Sequence, residues 1–480
     1  ARGWSWTHVR VTKSLLCRME GGLRSYAVAL LVCLLRGTGS GAAVGPADGA
    51  SSRALHAELT QQLVDWHLAL GARPDWRALT DELWGRFTAH HADFDAADKG
   101  ARRAFERSAA KIVELNARTN ARGVAGAVSR APGAVAPGHS TRYGFTRMSV
   151  IDEVAFAARL AAWRPLPAGL ATDAPVLPPL HSAARGSSLQ PTNQTWLPRL
   201  AGSLTGELPE LFDWSGHGVL SGVKDQRECG ACWSFTTVQT LEAAVAVVGG
   251  ALMSLSAQQL LDCDQSWNQG CVGGNVAASI GYLKRYGAMR EDDYPYRNAA
   301  SESCRYVPSL VAVRVAELMR IPPSSEQQLQ HALLQFGPLA VSVDAAEWQH
   351  YTGGVIEHCA DAGVNHAVQL VGWGATSNGI RYWNIRNSWS AAWGELGYAR
   401  LLRGVDCNGI IDEPAYTFAV AGQECLALDC SRCVGEWPRC GWCDSSKRCE
   451  AVTEGAASCK HGWLDAMCQP APPPPRGLTR

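Results

Sequence analysis

The chain has 480 residues, with 44 Lys or Arg and 44 Asp or Glu, so its formal net charge is zero. That balance gives no electrostatic reason to expect nucleic acid or an anionic membrane surface as the main partner. Hydrophobic residues make up 46% of the chain, enough for a buried core. The 17 cysteines are too many for a reducing cytosol unless they bind metal, so the compartment is the first question.

An apolar segment near the start predicts a secretory signal peptide over residues 19–43. The first methionine is Met19, Arg24 follows it, and the apolar run Tyr26–Leu35 leads into small residues. This order is typical of signal peptides, and the run is shorter than the ~20 apolar residues of a membrane span. A short buried helix is the alternative. A signal would send the chain into the secretory pathway, towards a lysosome, a vacuole or the extracellular space.

Residues 55–120 have the periodicity of helices, because Trp76, Leu79, Leu83 and Phe87 recur at helical spacing. Residues 161–206 are instead rich in Pro, Ala, Gly and Ser, which predicts an exposed linker. Asn193 in this linker begins a triplet that accepts N-linked glycans in secreted proteins, although such triplets also arise by chance. Residues 469–480 form a tail too rich in proline to pack.

The strongest signal is the segment Gln226-Arg-Glu-Cys-Gly-Ala-Cys-Trp-Ser-Phe235. Cys232 begins an apolar-periodic helix that Gly249 and Gly250 end. A thiol at a helix N-terminus lies at the positive end of the helix dipole, which favours the nucleophilic thiolate. Cys232 is therefore a candidate nucleophile.

A nucleophilic thiolate needs a base, and the base needs an orienting group. His366 and Asn387 follow downstream in that order. The imidazole can take the thiol proton, and the Asn387 carbonyl oxygen can accept the other ring N–H. Gln226 has an amide donor that, with the Cys232 backbone N–H, could bind an oxyanion.

Over residues 207–420 these motifs resemble the papain-type, cathepsin-like cysteine proteases. The resemblance implies an α+β fold of two subdomains, one helical with Cys232 and one a β-barrel with His366 and Asn387. It also implies that Cys232 is the nucleophile, His366 the acid and base, Asn387 the orienting residue and Gln226 the oxyanion donor. A structural cysteine and a core histidine are the alternative, which several ordered motifs disfavour. These motifs are Leu208-Pro209, Asp213-Trp214, Cys271-Val-Gly-Gly274, Tyr294-Pro-Tyr296, Gly372-Trp-Gly374 and Trp393-Gly-Glu-Leu-Gly-Tyr398.

The resemblance further implies a substrate cleft with a pocket for the second residue before the cut. Glu413 would lie near the floor of this pocket, as in cathepsin B, and a carboxylate there would accept Arg as well as apolar residues. The alternative is a solvated Glu413 and a purely apolar pocket. Ser390 departs from the glycine that is usual in the family. The implied substrate-binding residues are Gly273, Gly274, Ser342, Asn365, Ala367, Trp389 and Glu413.

Removing Cys17 and Cys33 with the signal leaves 15 of the 17 cysteines, so one is unpaired in a fully bridged chain. The nucleophile hypothesis supplies that unpaired cysteine, and sequence alone leaves the pairing of the others open. The resemblance implies three disulfides in the catalytic segment, namely Cys229–Cys271, Cys263–Cys304 and Cys359–Cys407.

The resemblance also implies that residues 55–160 are an inhibitory propeptide. The match is degenerate, and an unrelated helical domain is the alternative. A propeptide would cover the cleft until the linker is cut, and acid could loosen it by protonating interface carboxylates. The matching positions are Phe105, Ile112, Asn116, Phe145 and Met148, and the departures are Ser108 and Arg147.

Residues 423–468 contain eight cysteines, too small a segment to be stable without cross-links. The central Cys440-Gly-Trp-Cys443 and the spacing resemble a PSI domain. A zinc site is the alternative, but secretion favours disulfides. The ligand of this module is unknown.

These inferences predict a cysteine endopeptidase, made as a secreted zymogen, that forms an acyl-enzyme thioester. No long insertion between Cys271 and Tyr294 blocks the cleft, which favours an endopeptidase over an exopeptidase. Expected partners are protein and peptide substrates, the chain's own propeptide and cystatin-like inhibitors, with no cofactor, metal, nucleic acid or membrane span. The rival is a non-catalytic papain-fold binding or adhesion protein that uses the cysteine module.

Overall fold

The computed structural model describes residues 49–68, 75–91, 94–128, 141–160, 163–166 and 208–420 (without 266, 302, 324 and 361), and short strands between 440 and 464. The predicted signal peptide, the proline-rich tail and most of the predicted linker, including Asn193, lie outside the described residues. Within the described ranges, every helix is too short or too polar to cross a bilayer.

Three helices form the N-terminal region, where the periodicity predicts them. They are α1 (Gly49–Leu68), α2 (Trp76–His90) and α3 (Lys99–Val128). Asp75 caps α2 by accepting hydrogen bonds from two backbone N–H groups of its first turn. The helices enclose the aromatic core Phe87, Phe105 and Phe145, and His56 Nε2 lies 2.9 Å from His91 Nε2 beside it. This helical region has a core of its own.

The N-terminal region is hydrogen-bonded to the rest of the chain through a short strand, β1 (Arg142–Tyr143). β1 pairs antiparallel with β7 (Tyr351–Gly353). The helix α4 (Glu153–Leu160) follows and leads towards the cleft. The pairing of β1 with β7 therefore links the helical region to the part of the chain that follows residue 208.

A helical subdomain comes next, with α5 (Cys232–Val247), α6 (Ala257–Cys263) and α7 (Ile280–Tyr286). The residues 232–245 of α5 are all buried, so α5 is a core helix and not an amphipathic surface helix. The short strands β3 (Ala288–Met289) and β4 (Val311–Val313) pair at its margin. The Cys229–Cys271 and Cys263–Cys304 disulfides form in this subdomain, with the pairing that the resemblance implies.

The other subdomain is a sheet of eight strands in the order β5-β12-β6-β9-β10-β11-β8, with β2 paired to β9. All pairs are antiparallel except β11 with β8. The helix α8 (Glu326–Phe336) packs on the sheet, and the Cys359–Cys407 disulfide closes its loops. The strands are β2 (Phe212–Asp213), β5 (Val315–Ile321), β6 (Leu339–Val343), β8 (Val355–Ile356), β9 (His366–Ala375), β10 (Arg381–Arg386), β11 (Tyr398–Leu402) and β12 (Ala415–Val420).

The C-terminal cysteine segment contributes three more strands, β13 (Cys440–Cys443), β14 (Arg448–Ala451) and β15 (Trp463–Leu464). They form an antiparallel sheet with β13 in the centre. The Cys-Gly-Trp-Cys motif therefore lies on the central strand of a small sheet.

Candidate active site

Cys232 is the first residue of α5 and the one free cysteine among the residues described. Its side chain is fully buried, and burial raises the pKa of the thiol to about 11. Backbone hydrogen bonds from Ala367, Trp233 and Cys232 itself oppose this shift. The sequence predicts a lowered thiol pKa, so the structure differs in direction. The reason is burial, which outweighs the N–H groups at the helix N-terminus.

His366 and Asn387 meet because two neighbouring strands bring them together. His366 begins β9, and Asn387 follows the last residue of β10. His366 Nε2 lies 2.8 Å from Asn387 Oδ1, which also accepts the Ser388 backbone N–H at 2.8 Å. Since Oδ1 is an acceptor, Nε2 carries the hydrogen and Nδ1 is the basic nitrogen of the ring. Burial lowers the pKa of His366 to about 4, and the bond to Asn387 opposes this shift.

Trp389 covers the imidazole. Its ring stacks on His366 with centroids 4.7 Å apart and an interplanar angle of 29°, and it is 4% exposed. Phe156 of α4 packs edge-on against Trp389 at 5.5 Å. The His366–Asn387 hydrogen bond is thus shielded from water by one tryptophan, which is itself covered by the N-terminal region.

The Gln226 amide is held in place by Ser388. Gln226 Oε1 accepts from Ser388 Oγ at 2.7 Å, and Gln226 N donates to Ser388 O at 2.9 Å. Gln226 Nε2 donates to Cys229 O at 3.0 Å. Ser388 therefore contacts both the oxyanion-donor candidate and Asn387. Sequence reasoning missed it, although its place between Asn387 and Trp389 was a signal.

Arg386 is a second residue that sequence reasoning missed. Its guanidinium is fully buried and donates to Ser221 O at 2.7 Å and to Gln369 Oε1 at 3.2 Å. Ser221 lies on the loop that leads to Gln226, and Gln369 lies on β9 with His366. One buried cation therefore joins the segments that carry three of the site residues.

The predicted substrate-binding glycines lie against the helical subdomain. A Cβ on Gly274 would be 2.7 Å from Trp233, so only glycine fits there without displacement. Gly273 has a φ of 139°, which also favours glycine. In the sheet, Ser342 is the register partner of Ala367, whose backbone contacts the Cys232 thiol.

The contacts of Asn365 and Glu413 are with residues other than the catalytic candidates. The Asn365 side chain donates to Asp344 Oδ1 at 2.7 Å and accepts from Ala345 N at 2.9 Å, so it holds its own loop. Glu413 is half-buried. Burial and then Asp412 raise the pKa of Glu413, and Arg320 lowers it.

Ser390 has a φ of 65°, in the left-handed region that glycine tolerates best. Its backbone N–H donates to Lys224 O at 3.0 Å. The backbone geometry explains the glycine that is usual at this position, and the serine adopts it beside Trp389 at some conformational cost.

Residues 163–166 cover the site. Trp163 forms a parallel bridge with Gly274, Arg164 N donates to Gly274 O at 3.1 Å, and Asn275 Nδ2 donates to Arg164 O at 2.9 Å. Trp163 and Leu166 pack on the apolar cluster that contains Cys232. The sequence predicts an exposed linker from residue 161, whereas this part of it is bound. The bound segment therefore lies along the glycines of the predicted substrate cleft.

Comparisons with known proteins agree with this geometry. The model described as papain family cysteine protease matches residues 208–418. Cathepsin O of Mus musculus is 39% identical over 216 residues, which are 44% of this chain and 68% of that protein. The viral cathepsin of Mamestra configurata nucleopolyhedrovirus is 40% identical over 214 residues, 44% of this chain. The match spans 63% of that viral protein, less than two thirds of its length.

Two solved structures extend the likeness to the N-terminal region. Procathepsin L 3 from the larval midgut of Tenebrio molitor is 29% identical with a TM-score of 0.55, covering 71% of this chain and 99% of that one. Procathepsin L2 from the same source is 26% identical with a TM-score of 0.58 and the same coverage. With the cysteine, histidine and asparagine in place and a relative aligned over more than two thirds of its length, this chain belongs to the papain family of cysteine proteases.

Proposed function

We propose that the chain is a cysteine endopeptidase with a Cys232, His366 and Asn387 site, made as a secreted zymogen. The observation that carries the proposal is the hydrogen bond of 2.8 Å between His366 Nε2 and Asn387 Oδ1. It fixes the imidazole so that Nδ1 is free to take a proton. Cys232 lies at the start of a buried helix, against the backbone of the residue after His366.

The proposed reaction has two halves, the acylation of Cys232 and the hydrolysis of the resulting thioester. The Cys232 thiol passes its proton to His366 Nδ1, and the thiolate attacks the peptide carbonyl. The Cys232 N–H and Gln226 Nε2 stabilise the oxyanion, and His366 protonates the leaving amine, which leaves a thioester. Water, deprotonated by His366, then attacks the thioester, and the thiol is restored.

We propose that residues 55–160, with the covering segment 163–166, act as the inhibitory propeptide. A cleft that already contains Trp163 cannot admit a substrate. The docking surface supports this role. Gln349 Nε2 donates to Met148 O at 2.9 Å and Ile151 O at 2.8 Å, and Gly144 N donates to His350 O at 2.8 Å.

Ion pairs also cross this docking surface. Arg159 of α4 lies 3.7 Å from Glu228, beside the Gln226 loop, and Arg118 of α3 lies 3.9 Å from Glu347. Both carboxylates are on the catalytic side and both cations on the N-terminal side. These ion pairs support a propeptide that is docked on the catalytic region.

The proposed setting is the secretory pathway. The three disulfides of the catalytic segment support it, because such bonds persist in oxidising compartments. The signal peptide over 19–43, the glycan at Asn193, a PSI-like module over 423–468 and cystatin-like inhibitors remain parts of this proposal.

The catalytic proposal predicts unequal losses of activity. In the processed enzyme, Cys232→Ala should lower peptide hydrolysis by about four orders of magnitude or more, because the nucleophile is gone. Asn387→Ala should lower kcat by about 10- to 100-fold, because this residue only orients His366. Asn378→Ala, in the turn at the other end of β9 and β10, is the matched control and should change nothing. A Cys232→Ala enzyme that folds and retains most activity would refute the assignment.

The covering segment predicts a large change in thiol reactivity on processing. Iodoacetamide should alkylate Cys232 at neutral pH about 100-fold more slowly in the full-length chain than after processing. In the full-length chain the thiol is buried with a pKa of about 11, so almost no thiolate is present. Mass spectrometry of the Cys232 peptide measures the rate, with Cys232→Ser as the blank. Equal rates before and after processing would contradict the role of residues 163–166.

The docking surface predicts a contribution of His350 to activation by acid. Burial, and secondarily Lys111, lowers the pKa of His350 to about 3. Its Nδ1 lies 3.4 Å from Ser149 Oγ, and it lines a cavity of about 200 Å³ with Lys111, Glu153 and Glu347. Once uncovered, the imidazole binds a proton with its usual pKa of ~6.5. Docking is therefore stabilised above pH ~6.5, and this stability is lost as the pH falls towards ~3.

The test is the pH profile of processing of the full-length chain. His350→Gln should reduce the slope of the logarithm of the processing rate against pH by about one, because one proton fewer is taken up when Gln replaces the titrating imidazole. The slope is the decisive quantity, since a purely structural defect would shift the midpoint without changing the slope. His217→Gln, on an exposed residue of the catalytic region, is the control. An unchanged slope in His350→Gln would show that another group senses the acid.

The pocket proposal concerns Glu413. If its carboxylate reaches the floor of the pocket, the processed enzyme should cleave an Arg-Arg peptide as well as a Phe-Arg peptide. Glu413→Ala should then lower the ratio of the two rates by about tenfold. Asp412→Ala is the matched control. Arg320 already interacts with the Glu413 carboxylate and lowers its pKa. The competing outcome is therefore an unchanged ratio of the two rates, which would favour the solvated carboxylate.

A further inference from the structure

The loop that carries Trp267 is fixed beside the glycines of the cleft. Asn268 Oδ1 accepts Asn275 N at 2.7 Å, and Asn268 Nδ2 donates to Asp264 Oδ2 at 2.7 Å. The cysteines on either side of the loop, Cys263 and Cys271, are both in disulfides. The Trp267 ring is therefore presented by a braced loop next to Gly274.

A cation already lies on this ring. The Arg164 guanidinium carbon is 5.0 Å from the centroid of Trp267, within the range of cation–π attraction. One guanidinium nitrogen, Nη1, is buried without a hydrogen-bond partner. Among the residues that the structure describes, Arg164 makes no ion pair with a carboxylate. The aromatic face is therefore the feature that accommodates this charge.

The backbone of the covering segment explains how Arg164 reaches the ring. Trp163 forms a strand-like bridge with Gly274, and neighbouring side chains in such a pairing point to opposite sides. Trp163 packs on the apolar cluster with Cys232, so Arg164 is directed away from it, onto Trp267. A substrate residue that pairs with Gly274 in a strand-like way would have the same relation to its neighbour.

We propose that, in the processed enzyme, Trp267 is a recognition platform for a basic side chain at the third residue before the cleaved bond. This inference rests on the proposed peptidase function. The second residue fills the apolar pocket beside Gly274 and the first lies over Cys232. The third is then the flanking residue whose side chain meets the Trp267 loop. The selected substrates carry Arg or Lys there.

The experiment compares peptides that differ by one atom and one charge. Two fluorogenic peptides have Phe at the second position and either arginine or citrulline at the third. Citrulline has nearly the same shape as arginine and no charge. The processed enzyme should cleave the arginine peptide with a kcat/KM about two- to fivefold higher, the effect of an exposed cation–π contact. Trp267→Phe should retain part of this ratio, and Trp267→Leu should bring it to about one.

Each outcome bears on a different claim. A ratio of one in the wild type would overturn the platform, because the charge would then not be selected at all. A ratio above one that Trp267→Leu leaves unchanged would also overturn it, because neighbouring carboxylates and not the ring would then select the charge. Cleavage of both peptides would still support the peptidase function. If neither peptide is cleaved, the proposed function fails, and reduced-amide analogues of the two peptides measure the same ratio as dissociation constants by quenching of tryptophan fluorescence. Thermal unfolding confirms that each variant folds.

Discussion

The packing of α5 against β9 is the contact on which the rest of the site depends. α5 is buried along residues 232–245, and Gln369 of β9 donates from Nε2 to Gln239 O of α5 at 2.9 Å. This contact brings the first residue of a helix beside the first residues of a strand. Because Cys232 and His366 are those terminal residues, the two subdomains cannot move apart without separating them.

Buried charged side chains lie near the same contact between α5 and β9. Glu242 of α5 is fully buried, pairs with Lys224 at 3.0 Å and accepts the Leu255 N–H at 2.7 Å. Arg386 crosses to the loop at Ser221. A buried ion pair adds little net stability, but losing one partner leaves an uncompensated charge that costs about 3–5 kcal/mol. These charges therefore specify one arrangement of the subdomains more than they strengthen it.

Much of this arrangement could be predicted from the sequence, because the order and types of Cys232, His366 and Asn387 define a chemistry. The helix was predictable from its apolar periodicity, and the pairing of the three disulfides was predictable from the family resemblance, although the residues alone left that pairing open. The pKa directions were not, since they depend on which segment covers the thiol, and a Pro- and Ala-rich stretch carries no periodic signal for binding. Trp267 was missed for the same reason. Its role depends on Arg164, more than 100 residues earlier in the sequence, which only folding brings near.

The buried histidines have a consequence for how abruptly the zymogen responds to acid. Burial, then His91, His90 and Arg147, lowers the pKa of His56 to about 3, as burial does for His350. At pH values well above 3, His56 gains a proton readily only if the helical region opens, and His350 only if that region leaves the docking surface. If both events accompany release of the N-terminal region, the equilibrium constant for release changes by about a hundredfold per pH unit between pH ~3 and pH ~6.5. Two protons would then be taken up together, so latency ends over a narrow interval of acidity, as in a cooperative switch.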